Sequence, residues 1–447
     1  MSHPSFTQPL ILGGGLAGLT AALHLADAGL RPVLLEAARW PGGRARSYPD
    51  RLCGEELDHG PHLLLGAYRH TLQLLSRLGS RHHLWSPPHP DFTFWEESAG
   101  WYHLAVPRWP APWHLLAGLY GLPDLSLADW LPVWRLLAAV RVQSERWEEV
   151  SVTHWLQQHK QGARLCQRLW YPLCLATLNE PPASANAALF SNVLKHLLFG
   201  GAQALLPMLP SVPLSQLFAT PAVRAIQQAG GQVLCRCRVR QLQFSGSVLQ
   251  AVHTEQGSWW HPKAVIAALP HDALRVLLPP GLLQQQLSSL SCAPIVSVHL
   301  QYEQPLSLPA PLLGLPTRAS QWLLDRNRLS QHPVRQGRLS AVLSGAYRES
   351  HWSAAQLVQA VHQDVSRVLA PLRVAPPQVG RVIRMQRATF AAWPGCNMVR
   401  PPSTTPWHNL WLAGDWTATA LPATLEGAVL SGVRAAEKIL ALCGHER

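Results

Sequence analysis

Leu10-Ile11-Leu12-Gly13-Gly14-Gly15-Leu16-Ala17-Gly18 is the stretch that decides the fold. Pro9 to Leu12 reads as a short buried strand that runs straight into glycines spaced GxGxxG. Leu16 to Ala28 then reads as a helix, stopped by Gly29. Arg31 to Leu35 reads as a second strand that ends at Glu36. Strand, glycine turn, helix and strand in this compass predict a parallel βαβ unit. The residue types predict what it grips. Gly13 permits the tight turn, Gly15 lets a pyrophosphate reach the backbone, and Gly18 allows helix and strand to pack closely. The helix start at Leu16 and Ala17 offers amide hydrogens and partial positive charge to phosphate. Glu36 stands where a carboxylate accepts hydrogen bonds from a ribose diol. The pattern is that of a dinucleotide site.

Two further motifs extend it. Pro41-Gly42-Gly43-Arg44-Ala45-Arg46 follows the acid directly, so Gly42 and Gly43 allow a second close backbone approach and Arg44 places charge near phosphate. Near the other end, Trp411-Leu412-Ala413-Gly414-Asp415-Trp416 reads as a strand ending in Gly-Asp. It leads through Leu421-Pro422-Ala423-Thr424-Leu425-Glu426-Gly427-Ala428 into a helix. A carboxylate there suits ribityl or ribose hydroxyls, and a helix N-terminus suits the negative charge that builds on a reduced flavin ring.

Composition bounds the remainder. The 447 residues suffice for two or three structural units, and 14% charged against 47% hydrophobic residues excludes disorder. The net charge of +12 is carried by arginine, since lysine occurs only at 160, 195, 263 and 438. No run of five or six basic residues marks a nucleic-acid surface. The eight cysteines show neither CxxC pairs nor zinc spacing, which fits a reducing compartment. The apolar stretch from Leu10 to Leu30 lacks the basic start of a signal peptide, and no spanning helix is expected.

Along the chain, residues 85 to 210 crowd tryptophan and proline and read as a helical, substrate-facing insertion. Pro221 to Ala229 reads as a helix, Gly230-Gly231 as a turn, and Gln232 to Phe244 as one strand with Cys235 and Cys237 on a common face. Val248 to Thr254 and Ala264 to Leu269 follow as strands. Further strands are expected near 295–302 and 338–345, with helices from Ala354 to Leu369 and from about Leu425 to Leu442. The expected architecture is α/β: a Rossmann-like FAD-binding domain from 1–84, 211–290 and 396–447, with a discontinuous mixed helical and sheet substrate domain from 85–210 and 291–395.

The motif after Glu36 resembles that of the flavin amine oxidase and phytoene desaturase superfamily, with its GR2-type FAD-binding domain. Within it, the sequence resembles the hydroxysqualene dehydroxylase family over nearly its whole length. The resemblance rests on Leu57 to Arg69, Pro213 to Leu217, Arg387-Ala388-Thr389-Phe390, and the tail from Leu412 to Gly432. It implies FAD as cofactor, with Gly60, Pro61, His62, Val239, Gly414, Asp415, Leu425, Glu426 and Ala428 added to the residues already named. The family pattern Asp-Asn-Gly-Gln-His reads Asp58-His59-Gly60-Pro61-His62 here, so Pro61 removes a backbone donor.

The implied reaction is reductive removal of the hydroxyl of an allylic C30 alcohol to give squalene. It requires an acid near the hydroxyl, a dry cavity and aromatic faces. His62 is the expected acid, with His59 and Asp58 as second choices. Reducing equivalents come from a separate donor or from NAD(P)H, because no second GxGxxG is present. The insertion is expected to touch lipid through Trp101, Trp109 and Trp113, with Leu115, Leu116 and Leu119 buried. That makes the protein cytoplasmic and peripheral at the inner face of a membrane. A carotenoid desaturase running in the oxidative direction is the nearest rival. An amine oxidase is a more distant one, since only Lys195 or Lys263 would be available beside the flavin.

Overall fold

The computed structural model describes residues 8–125, 129–141, 144–332 and 334–445. At its centre lies a five-stranded parallel sheet ordered Gln232–Leu234, Val33–Leu35, Leu10–Leu12, Val265–Ala267 and Leu410–Leu412. Leu10 pairs with Val33 on one side and with Val265 on the other. The inner strands are apolar throughout because a parallel sheet is covered on both faces. On one face, Ile11, Leu34 and Ile266 pack beneath helices Leu16–Asp27 and Leu425–His445. The two helices touch so closely that a Cβ on Gly432 would lie 2.3 Å from the Ala17 carbonyl oxygen. On the other face, Leu10, Leu12 and Val265 share a core with Leu242, Leu249 and Val252 of a small antiparallel sheet. Each fully buried Leu or Ile contributes roughly 1.5–3 kcal/mol.

The segment 232–244 is not one strand. Gln232–Leu234 joins the parallel sheet, the chain turns at Arg236 with φ of 56°, and Val239–Ser245 pairs antiparallel with Val248–Thr254. Two backbone bonds cause the break, from Arg236 N–H to the Ala38 carbonyl and from Cys237 N–H to the Glu36 carbonyl. Cys235 is exposed and Cys237 half-buried, so they share no strand face.

A seven-stranded sheet forms the second layer, ordered Val379–Phe390, Cys292–Tyr302, Gly337–Ser344, Trp322–Asp325, Leu312–Gly314, Asp91–Glu96 and Gly100–Ala105. Its outer face is closed by helix Ala354–Val368, where Leu357, Val361 and Val365 meet Val296, Val298, Leu300 and Tyr302. A capping box of Ser353 and Gln356 starts that helix. Its inner face turns toward the parallel sheet.

The tryptophan-rich insertion is only partly helical. It opens with the hairpin Asp91–Glu96 and Gly100–Ala105, where Phe94, Tyr102 and Leu104 are buried by two-residue alternation. Helices Trp130–Arg141, Val152–Gln158, Tyr171–Leu178 and Ala187–Phe199 follow, around the fully buried Trp155, Trp170 and Phe190. Leu119 is buried, while the side chains of Leu115 and Leu116 lie outside the described residues. Among the described residues no helix is long and apolar enough to cross a membrane.

Candidate active site

One cavity of about 950 Å³ runs between the two sheets. Its first compartment is built almost wholly from main chain. Gly13, with φ of 104°, sits so close to the next strand that a Cβ would lie 2.5 Å from the Ala268 carbonyl oxygen. Gly15 has open space where its Cβ would be, and no side chain caps the helix that begins after it. Bare amides and the positive end of that helix therefore face the cavity. The second glycine motif presses against the first, with Gly42 N–H donating to the Gly14 carbonyl at 2.7 Å. Glu36 is fixed at its strand end by N–H donation from Gly14 at 2.7 Å and Ala38 at 2.6 Å, and it lines the wall. The cradle suits a diphosphate, and the fixed carboxylate suits the adjoining sugar.

Leu16, Ala17, Gly43, Gly60, Pro61 and Val239 also line this cavity, as do Gly414, Asp415, Leu425 and Ala428. Arg44 crosses it, donating to Asp415 Oδ1 at 2.6 Å and to the Ala388 carbonyl at 2.7 Å. Four of the residues singled out by sequence stand off the wall. Gly18 works behind it: a Cβ there would be 2.0 Å from the Gly13 carbonyl oxygen. Glu426 turns away, and its carboxylate accepts from the amides of His70 (3.0 Å) and Thr71 (2.9 Å), capping helix Arg69–Arg77. Asp58 accepts from Ser47 Oγ at 2.6 Å and Leu214 N–H at 2.9 Å. Burial nevertheless raises its pKa to about 6. His59 lies beside Arg46, and burial first, then that guanidinium, lowers its pKa to about 4.

His62 does reach the cavity. Its Nδ1 is 2.8 Å from the Gly60 carbonyl, an acceptor, so Nδ1 carries the proton and the neutral ring keeps a lone pair on Nε2. Burial lowers its pKa, and the Gly60 hydrogen bond opposes that only in part.

The second compartment is apolar and is walled by Phe92, Phe94, Leu169, Trp170, Leu198 and Trp322. Arg168 lies in its wall within a π-type turn, Cys166–Trp170, paired with Glu96 at 2.9 Å and Asp124 at 3.2 Å. At the rim, Arg387 pairs with Asp272. No lysine side chain lines the cavity among the described residues. Sequence reading missed Arg168, Ser297 and Arg400. Arg400 is buried, stacks over Phe390 at 4.5 Å and donates to the carbonyls of Asp415 (2.9 Å) and Thr417 (2.5 Å), so it shapes the loop after the last strand. None belongs to a motif, and burial, which the sequence does not give, is what sets them apart.

A dinucleotide cradle opening into an apolar chamber defines a flavoprotein oxidoreductase. The chain belongs to the flavin-containing amine oxidoreductase family, whose model matches residues 16–440, and its cofactor is FAD. It is 32% identical to the hydroxysqualene dehydroxylase of Rhodopseudomonas palustris, over 96% of this chain and 98% of that one. It is 26% identical to the 15-cis-phytoene desaturase of Synechococcus elongatus, over 96% and 95%. A solved putrescine oxidase bound to putrescine superposes with a TM-score of 0.75 at 18% identity, covering 97% of this chain and 99% of that one.

Proposed function

We propose that this enzyme reductively removes the hydroxyl of hydroxysqualene, an allylic C30 alcohol, to give squalene. The observation that carries the reading is the single continuous cavity, in which the dinucleotide cradle gives directly onto a long apolar chamber. The likeness to hydroxysqualene dehydroxylases supports the choice of substrate. FAD bound in the cradle supplies hydride chemistry once it is reduced. The overall change consumes one hydride and one proton, and releases one water. The amides beyond Gly15 would hold the pyrophosphate of FAD, Glu36 its ribose, and the helix start at Leu425 its pyrimidine end. Arg44 and Asp415 tie the second glycine loop to the segment after strand Leu410–Leu412.

His62 is the assigned partner of the substrate hydroxyl. As the neutral ring it accepts the O–H at Nε2, and when protonated it donates there and makes the oxygen a better leaving group. His59 and Asp58 stay as second choices that act on the loop from behind the wall. The apolar walls would exclude water, and the aromatic side chains of Trp170, Phe94 and Trp322 stand in the wall where a delocalised cation would form.

The insertion exposes an aromatic patch. Trp109 is 58% and Tyr120 84% exposed, and Trp113 and Trp134 stack edge to face at 5.4 Å. Such a face suits peripheral docking on the cytoplasmic leaflet, from which a water-insoluble C30 alcohol is drawn. Protein that stays wholly soluble in liposome flotation would end that part of the reading. Electrons arrive from a separate donor or from NAD(P)H.

Purified enzyme offered hydroxysqualene, phytoene and a polyamine, each under reducing and oxidising conditions, tests the whole. Squalene from reduced enzyme alone is expected. Desaturated phytoene under oxidising conditions would transfer the assignment to the rival, which the likeness to phytoene desaturases favours. Amine oxidation is disfavoured by a cavity wall without lysine among the described residues.

A further inference from the structure

A reaction that consumes a proton and releases water inside an apolar chamber needs a polar route to solvent. The inner face of the seven-stranded sheet carries one. On strand Cys292–Tyr302, the residues Val296, Val298, Leu300 and Tyr302 face the outer helix, so Ile295, Ser297, His299 and Gln301 face inward. Ile295 and Ser297 line the cavity, beside Val342, Leu324 and Met385 on neighbouring strands. Beyond Ser297 the same face turns polar. His299 pairs in register with Ser340 and Arg381, and Gln301 with Arg338.

This row is buried but under-satisfied. Ser297 Oγ, Gln301 Oε1, Arg338 Nε, and both Nε and Nη2 of Arg326 have no hydrogen-bond partner in the protein. His299 donates to or accepts from Ser340 Oγ at 2.7 Å through Nδ1. Its Nε2, beside the Asp58 carbonyl, makes no hydrogen bond of normal geometry. Buried polar groups of this kind are ordinarily satisfied by ordered water, and here several lie contiguously. The row is roofed by the hairpin Ser47–Asp50 and Glu55–Asp58, where Glu55 pairs with Arg326 and Arg338, and Asp50 with Arg381 at 2.9 Å. A Cβ on Gly60 would lie 3.0 Å from Ser297 Oγ, so the inner end opens beside the loop that carries His62. Arg381, with 36% of its side chain exposed, marks the outer end.

We infer that Ser297, His299 and Gln301 organise a water-filled channel that carries protons into the active site and product water out of it. This deepens the dehydroxylation reading and rests on it. The balance per turnover is one proton in and one water out, with hydride from the reduced flavin. His299 stays neutral in the working range, because burial holds its pKa at about 3, so its ring relays by accepting at one nitrogen and donating at the other.

The test compares Ser297→Ala with Gln301→Leu, whose side chain stands roughly 13 Å further along the strand and off the cavity wall. Both variants are expected to retain FAD, to lower kcat about tenfold with KM for hydroxysqualene unchanged, and to enlarge the solvent deuterium effect on kcat. Ser297→Thr keeps the hydroxyl and is expected to restore turnover. A high-resolution crystal structure of the holoenzyme should show ordered water from Ser297 to Arg381. Gln301→Leu at wild-type kcat, or a dry row in that structure, would overturn the channel. Wild-type enzyme that makes no squalene would instead sink the dehydroxylation reading, and the diffraction result would still judge the water row.

Discussion

The two ends of the cavity are made by different means. At the dinucleotide end the wall is main chain: Gly13, Gly15, Gly42 and Gly43 bring backbone against backbone, and two helix starts point inward. At the apolar end the wall is side chain: Phe94, Leu169, Trp170 and Trp322 come from a hairpin, a π-type turn and an inner strand of the seven-stranded sheet. At Gly13 and Gly18 the backbone site tolerates no added atom, whereas a side-chain site tolerates exchange of shape at a cost in packing.

That contrast can be broken most directly at Gly18. Gly18→Val would drive a Cβ into the Gly13 carbonyl, and the expected product is colourless protein that takes up no FAD, read by absorbance after reconstitution. In the helical core of the insertion, off the cavity wall, Trp155→Ala removes a fully buried indole and should cost roughly 3–5 kcal/mol, read as a lowered thermal midpoint with the yellow colour retained. Between the two, His62→Ala should keep FAD and lower kcat for hydroxysqualene about a hundredfold. Unchanged turnover would remove His62 from the site.

The smallest effect is a pH dependence. His59 and His299 have folded pKa values of about 4 and about 3, both below the ordinary imidazole value. The unfolded chain then binds more protons, so stability is fully present above about pH 6.5 and falls as pH drops toward those values. Thermal midpoints recorded from pH 7 to pH 4 should decline, and His299→Gln should flatten the decline.

The same contrast explains what could be read in advance. The strands of the parallel sheet, the glycine turn and the closing Gly414-Asp415 were legible because backbone sites demand particular residues at particular spacings. The split at Arg236 was not, since the bonds that bend the chain come from the Glu36 loop, two hundred residues away in sequence. The hairpin at 91–105 hid among tryptophans and prolines, whose bulk obscures a two-residue period. Glu426 sits inside a cofactor motif yet spends both oxygens on helix Arg69–Arg77, a choice set by tertiary placement. Ser297 belongs to no motif, and its interest comes from the neighbours it lacks.

The edge strand of the central sheet, Leu410–Leu412, and the cap that Glu426 lends to helix Arg69–Arg77 both come from late in the chain. While a nascent polypeptide is still short of them on the ribosome, the sheet edge at Val265–Ala267 is bare and the cavity lacks the wall that Gly414, Asp415, Leu425 and Ala428 supply. A complete flavin site is therefore expected only once the last helix has been made, and until then the half-built chamber leaves its apolar wall uncovered.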